Sequence, residues 1–216
     1  MKTILFQGDS ITDCGWDRNN PMNFGNLGSG YPRLVFTELG YEVPSEYIFY
    51  NRGISGNRIV DVYARIKADI INLRPDYMSI LIGINDVWHE IARKNGVDAG
   101  KFEKIYTMLL EEIKEALPNI KIMLLAPYVL KGEATNNTEE NPNRWECFRT
   151  EVDKRIQIVD KLGEKFNCPV IHLQEKFDER IAINNNSSYW AADGVHPSVF
   201  GHELIAHEWL AQFRKL

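Results

Sequence analysis

Residues 3–12 read TILFQGDSIT: an apolar run that stops at a glycine and gives way at once to Asp-Ser. A short run rich in Ile, Leu and Phe, closed by a turn signal, has the form of a buried strand. Runs of the same kind recur as YIFYN (47–51), YMSILI (77–82), KIMLLA (121–126) and PVIHL (169–173). The intervening stretches carry the other periodicity. In 101–117, Phe102, Ile105, Tyr106, Leu109, Ile113 and Leu117 return every three or four positions, which predicts an amphipathic helix stopped by Pro118. The same spacing predicts a helix over about 145–166, through Val152, Ile156, Val159, Leu162 and Phe166, and another at the end, through Leu204, Trp209, Leu210 and Phe213. Five apolar strands alternating with helices imply a parallel sheet covered on both faces, an α/β three-layer α/β/α sandwich with a five-stranded parallel sheet. Residues 1–216 are expected to form a single domain, since the chain has 44% hydrophobic residues and no internal repeat. The Asn-rich, acidic stretch KGEATNNTEENPN (131–143) is expected to be an exposed loop, a plausible lid or contact.

Bulk charge narrows the partners. A net charge of −5 argues against nucleic acid and against an anionic membrane, both of which attract clustered Lys and Arg. The N-terminus MKTILFQGDS shows neither a signal peptide nor a membrane span, so the cytoplasm is the expected compartment. Cys14, Cys147 and Cys168 form no CxxC pair and read as reduced thiols.

In a parallel α/β sheet, ligands bind beyond the carboxyl ends of the strands. The residues at those ends are chemically suggestive. Ser10 follows the first strand, RGISGN with Gly53 the second and GINDVW with Asn85 the third, while DGVHPS near the C-terminus supplies Asp193 and His196. A serine hydroxyl becomes a nucleophile when a neutral imidazole takes its proton, and a carboxylate must fix that imidazole's tautomer. Asp193 and His196, three residues apart in a Gly-containing turn, meet both needs for Ser10. The Ser10 N–H, the Gly53 N–H and the Asn85 side-chain amide are the three donors expected for an oxyanion hole. Taken singly, each block is an ordinary turn or cap; together, in order and mostly at strand ends, they form a hydrolase's parts.

GDSIT, RGISGN, GIND and DGVHP resemble the four blocks of the GDSL/SGNH esterase family, and the likeness spans nearly the whole chain. The resemblance implies a flavodoxin-like SGNH hydrolase fold, Ser10 as nucleophile, Gly53 and Asn85 as further oxyanion donors, His196 as the catalytic histidine and Asp193 as its acid. The longer strings GDSITDCG, LGSGY, GISGN, IGINDVW and VHPSVFGH are similar to intracellular acetylxylan esterases that deacetylate short xylo-oligosaccharides. This subgroup also suggests a homo-oligomer. The implied activity is that of a serine esterase removing acetyl groups from carbohydrates, with no metal and no organic cofactor. A lysophospholipase or thioesterase, and a silent binding protein on the same fold, are the alternatives; the acidic surface and missing anchor weigh against a bilayer-binding lipase.

Several other patterns are set against this reading. HELIAH (202–207) has one residue too many for a zinc-binding HExxH helix. GNLGSG (25–30) lacks the order of a phosphate loop and reads as a substrate-side loop. Ser55 in GISGN fails the GxSxG elbow at its last position. Asp9 and Asp86 flank candidate site residues and could position the site or cap helices. Trp16, Trp88 and Trp190 lie close in sequence to the blocks, where a ring could pack on a sugar face or wall an acyl pocket; Trp145 and Trp209 read as helix packing.

Overall fold

The computed structural model describes residues 1–19 and 27–216. The expected strands form at β1 (Lys2–Gly8), β2 (Tyr47–Gly53), β3 (Tyr77–Leu81), β4 (Lys121–Leu125) and β5 (Val170–Ile171), all parallel, in the order β2-β1-β3-β4-β5. This is the flavodoxin-like order, whose switch point lies between β1 and β3. Strand β5 is shorter than the apolar run that announced it. After Ile171 the chain turns at His172 into a helix, α8 (Leu173–Asn184).

Strand alternation divides the interior. Ile4 and Phe6 of β1 point to one face, where they join Tyr31, Val35, Trp209 and Phe213, while Leu5 points to the other, against Ile59, Val62, Tyr106 and Leu109. The first face is covered by α2 (Tyr31–Glu42) and α9 (Val199–Phe213), with α5 (Ile84–Arg93) also against it; α3 (Ile59–Ala64) and α6 (Ala99–Ala116) lie on the second. Helix α7 (Arg144–Phe166) contributes to both, sending Phe148 and Val152 to the first face and Ile158, Val159 and Leu162 to the second. The expected helices at 101–117 and 145–166 are thus α6 and α7. Ser198 is the N-cap of the last helix, its hydroxyl accepting the Gly201 N–H at 3.3 Å. No helix among the described residues is long and apolar enough to cross a membrane.

Register sets the site. Gly8, at the end of β1, sits opposite Gly53 on one side and Leu81 on the other, so β1, β2 and β3 end level and their following turns emerge along one rim. The single-turn helix α1 (Ser10–Asp13) packs into that rim, and a Cβ on Gly53 would stand 2.4 Å from the Asp13 nitrogen. Glycine there permits the approach.

The 131–143 stretch differs from the expectation of a wholly exposed loop. Gly132 and Thr135 are buried beneath the C-terminal turn, and only the following residues, 136–140, are uniformly exposed.

Candidate active site

Asp9 starts α1 by accepting the Ile11 N–H on Oδ1 at 3.0 Å, which leaves Ser10 as the first residue of the helix. Ser10 Oγ lies 2.9 Å from His196 Nε2, and His196 Nδ1 lies 2.6 Å from Asp193 Oδ2. A carboxylate only accepts, so the ring nitrogen facing it carries the proton and Nε2 presents a lone pair to the serine O–H. Asp193 Oδ1 meanwhile accepts the N–H groups of Val195 and His196, both at 2.8 Å. Burial opposes a charge on Asp193, but the His196 ring and these two N–H groups outweigh it and hold the acid below its ordinary value. The hydrogen bond to Asp193 raises the pKa of His196, against the effect of its burial.

The Asp193 turn does not stand alone. Gly194 takes φ +89°, and its carbonyl accepts the Leu130 N–H at 2.8 Å; the carbonyls of Ala192 and Asp193 accept from Glu133 and Ala134 at 3.1 and 3.0 Å. Tyr128 donates its hydroxyl to the Val195 carbonyl at 2.8 Å. Thr135 donates to Leu130 O at 2.6 Å and accepts from Gly132 N at 3.0 Å, which closes the cradle. The first part of the polar 131–143 stretch is therefore the bed of the Asp193 turn.

On the other side of Ser10 the structure corrects one expectation. The Gly53 N–H is donated to the side chain of Asn51 at 2.9 Å, and the Gly53 carbonyl accepts the indole N–H of Trp16 at 2.7 Å, so Gly53 has no N–H left to offer an oxyanion. Its place within β2 spends its polar groups on structure. Three residues on, Ile54–Asn57 forms a turn closed by Asn57 N–H to Ile54 O at 3.1 Å, with Gly56 at φ +81°. The Gly56 N–H finds no partner among the described residues. Asn85, in the first turn of α5, gives one amide hydrogen to the Asn57 carbonyl at 3.2 Å and keeps the other. The Ser55 N–H is held by Asp13 Oδ2 at 2.8 Å, so α1 carries both Ser10 and the anchor of the Gly56 turn.

A hydroxyl, an imidazole and a carboxylate in hydrogen-bonded series beside free amide donors is an arrangement suited to acyl transfer. Known proteins agree. The GDSL-like lipase/acylhydrolase family profile matches residues 6–204. The chain belongs to that family. An acetylxylan esterase of Geobacillus stearothermophilus is 35% identical over 222 residues, covering 97% of this chain and 92% of the relative. Among solved structures, a GDSL-like lipase from Parabacteroides merdae superposes with a TM-score of 0.88 at 37% identity, covering 97% of this chain and 94% of the other. A variant of an acetyl-xylooligosaccharide esterase from Geobacillus gives 0.83 at 32%, covering 97% and 93%. This GDSL-family chain is a carboxylic ester hydrolase.

The three tryptophans of this acylhydrolase take different places. Trp16 is buried, bonded to Gly53 and flanked by the guanidinium groups of Arg18 and Arg52 at 4.9 and 5.1 Å from its ring, so it packs the rim and presents no free face. Trp88 is beside the site, its ring 5.8 Å from that of His196 and 6.3 Å from Phe148. Trp190 packs on Phe177 and Tyr189, and its carbonyl accepts the Ser198 N–H at 2.7 Å. Asp86 is spent on the fold: both its oxygens accept the Ile59 N–H, at 3.1 and 3.2 Å, and burial pushes the acid up to about 8. Trp145 lies over Lys131, and Trp209 is fully buried against Phe6 and Phe213.

Other supporting residues lie outside the candidate site set. Asn51, buried within β2 where its apolar run stops, donates to Thr12 O at 2.7 Å and Leu27 O at 2.9 Å while holding Gly53; an Asn closing such a run is its only sequence signal. His202 accepts the Tyr31 N–H on Nδ1 at 3.2 Å and so donates from Nε2 to Cys14 Sγ, also 3.2 Å away. Burial lowers the pKa of His202 to about 4 and raises that of Cys14 to about 12, which makes the pair neutral packing rather than a second reactive dyad. Gly30 makes room for it, because a Cβ there would stand 2.5 Å from Cys14 Sγ. Gly25 and Asn26 of the glycine-rich stretch lie outside the described residues; Gly28 and Gly30 of its remainder seat α2 against Cys14. His207, the other histidine of HELIAH, pairs with Glu203 at 3.3 Å.

Proposed function

We propose that this chain is a serine esterase that removes acetyl groups from carbohydrates, with xylo-oligosaccharides as the substrate class. The observation that carries the reading is the continuous series Ser10 Oγ, His196 Nε2, His196 Nδ1 and Asp193 Oδ2, linked at 2.9 and 2.6 Å. Ser10 Oγ attacks the acetyl carbonyl carbon as its proton passes to His196 Nε2, and the carbonyl oxygen gains the negative charge. Asp193 stabilises the imidazolium and keeps its tautomer. The tetrahedral intermediate expels the sugar alkoxide, which takes the proton from His196 and leaves as the alcohol. Water then repeats the sequence on the acyl-serine, releasing acetate and restoring the Ser10 hydroxyl.

The oxyanion donors in this proposal are the Ser10 N–H, the second amide hydrogen of Asn85 and the Gly56 N–H in place of that of Gly53. No step calls for a metal or an organic cofactor. Trp88, beside His196, is the aromatic wall of the acyl side. The acetylxylan and acetyl-xylooligosaccharide esterases among the relatives support the sugar as leaving group.

The test sets acetylated xylo-oligosaccharides against a series of p-nitrophenyl esters from acetyl to octanoyl. Deacetylation of the sugars and a sharp loss of activity beyond butyryl are expected. A preference for long acyl chains or acyl thioesters would replace the reading with a lysophospholipase or thioesterase.

A further inference from the structure

The residue before Ser10 carries a carboxyl group that this mechanism leaves unused. Asp9 is 0% exposed. Its Oδ1 accepts the Ile11 N–H, but Oδ2, equally buried, meets no hydrogen-bond donor among the described residues. A carboxylate oxygen buried there without a donor among the described residues is costly to ionise, and such groups survive by acquiring a proton or a nearby cation.

The groups that act electrostatically with Asp9 are Cys14 at the end of α1, Tyr31 of α2, Asp86 of α5, Tyr128 after β4 and His196 of the C-terminal turn. Asp193 stands beyond His196 in that turn, and His202 of α9 lies behind Cys14. The two tyrosine hydroxyls are committed elsewhere, that of Tyr31 to Thr12 at 3.1 Å and that of Tyr128 to the Val195 carbonyl. Burial is the dominant influence on Asp9 and leaves the acid raised to about 7; of the charged side chains acting on it, His196 is the one that favours its ionised form. The influence is mutual, for Asp9 also raises the basicity of His196, after Asp193.

We propose that Asp9 is a positioning residue for the proton on His196: its buried, half-bonded carboxylate acts with Asp193 to stabilise the imidazolium formed as Ser10 attacks, and Asp9 and His196 titrate as a coupled pair. The inference rests on the reading of His196 as the general base. It gives the Asp of the GDS triplet a role beyond capping a four-residue helix, because a cap requires only Oδ1.

Asp9→Asn separates the two roles, since Asn caps as well as Asp but carries no charge. With p-nitrophenyl acetate, the acid limb of kcat/KM in D9N is expected to move to lower pH by about half a unit or more and to follow one ionisation, where the native protein shows a broader, coupled limb. Coincident limbs for D9N and the native protein, with His196→Ala inactive, would overturn the role of Asp9 alone. Full activity in H196A would overturn the base assignment beneath it. Should D9N fail to fold, NMR titration of the His196 ring in the native protein decides: two inflections support the coupling, and a single simple titration overturns it.

Discussion

Asp193 holds His196 with both carboxylate oxygens, Oδ2 taking the ring N–H at 2.6 Å and Oδ1 the backbone N–H of the same residue at 2.8 Å. Side chain and backbone are thereby fixed together, and the ring can address Ser10 without first paying for its orientation. The pairing also sets a pH dependence. In the proposed mechanism His196 acts as a base, which it can do only when neutral, and its hydrogen bond to Asp193 raises its pKa from 6.5. Activity is therefore expected to fall as the pH drops through a midpoint above 6.5. Asp193→Asn should lower that midpoint and reduce kcat by roughly 10⁴-fold, through loss of the productive tautomer. A kcat/KM profile of both proteins checks this; a flat native profile down to pH 4 would contradict the base role.

Ser10→Ala is expected to abolish ester hydrolysis, by roughly 10⁴-fold or more, while melting close to the native temperature, because the Ser10 side chain bonds to nothing in the core. Asn85→Ala removes one of the proposed oxyanion donors and should reduce kcat by roughly 10²–10³-fold. Steady-state rates with p-nitrophenyl acetate, alongside thermal melts, separate the two. Labelling by a fluorophosphonate at Ser10 gives an independent readout, and an absent adduct would favour a silent binding protein.

Gly132 lies under the Asp193 turn, and a Cβ there would stand 2.2 Å from the Gly194 nitrogen and 2.4 Å from the Asp193 carbonyl carbon. Both contacts are backbone, so the turn must move. Gly132→Ala is expected to lower kcat by about 100-fold, the scale of a displacement of about 1 Å in a catalytic group. Native-like activity in this variant would show that the cradle does not set the position of Asp193.

His202 is buried and neutral, with its pKa lowered to about 4 chiefly by desolvation. An unfolded chain protonates the same side chain at about 6.5. Between those values the unfolded state binds the extra proton, so folding stability falls as the pH drops from about 6.5 towards 4. At about 1.4 kcal/mol per pH unit, the loss across that window is about 3 kcal/mol. His202→Asn keeps an acceptor near the Tyr31 N–H and removes the titration, so its melting temperature should depend less steeply on pH in this range. Equal slopes for the two proteins would refute the assignment.

The fold was legible because strand and helix periodicities are local properties. The runs beginning at Thr3, Tyr47, Tyr77, Lys121 and Pro169 each overlap a strand of the sheet, and the stripes through Phe102 and Val152 mark α6 and α7. Asn85, Asp193 and His196 were legible as candidates because Asn85 follows the third apolar run, Asp193 and His196 share a Gly-containing turn, and their blocks resemble those of the GDSL/SGNH family. The direction of a backbone N–H was not legible. Gly53 and Gly56 are both glycines of one block, yet among the described residues the first gives its N–H to Asn51 and the second finds no acceptor.

By itself, then, the order of residues determined the five-stranded α/β architecture, the family and the types of side chain available at the strand ends. Tertiary structure alone decided which polar groups remain free: it buried Trp16 on the rim, turned Asp86 to the cap of α3, laid Gly132 and Thr135 beneath Asp193 and left Asp9 with one oxygen unpartnered among the described residues. The physical reason is that periodicity and turn chemistry act over a few residues. Whether a buried donor or acceptor is satisfied, by contrast, depends on groups that only the folded chain brings within about 3 Å.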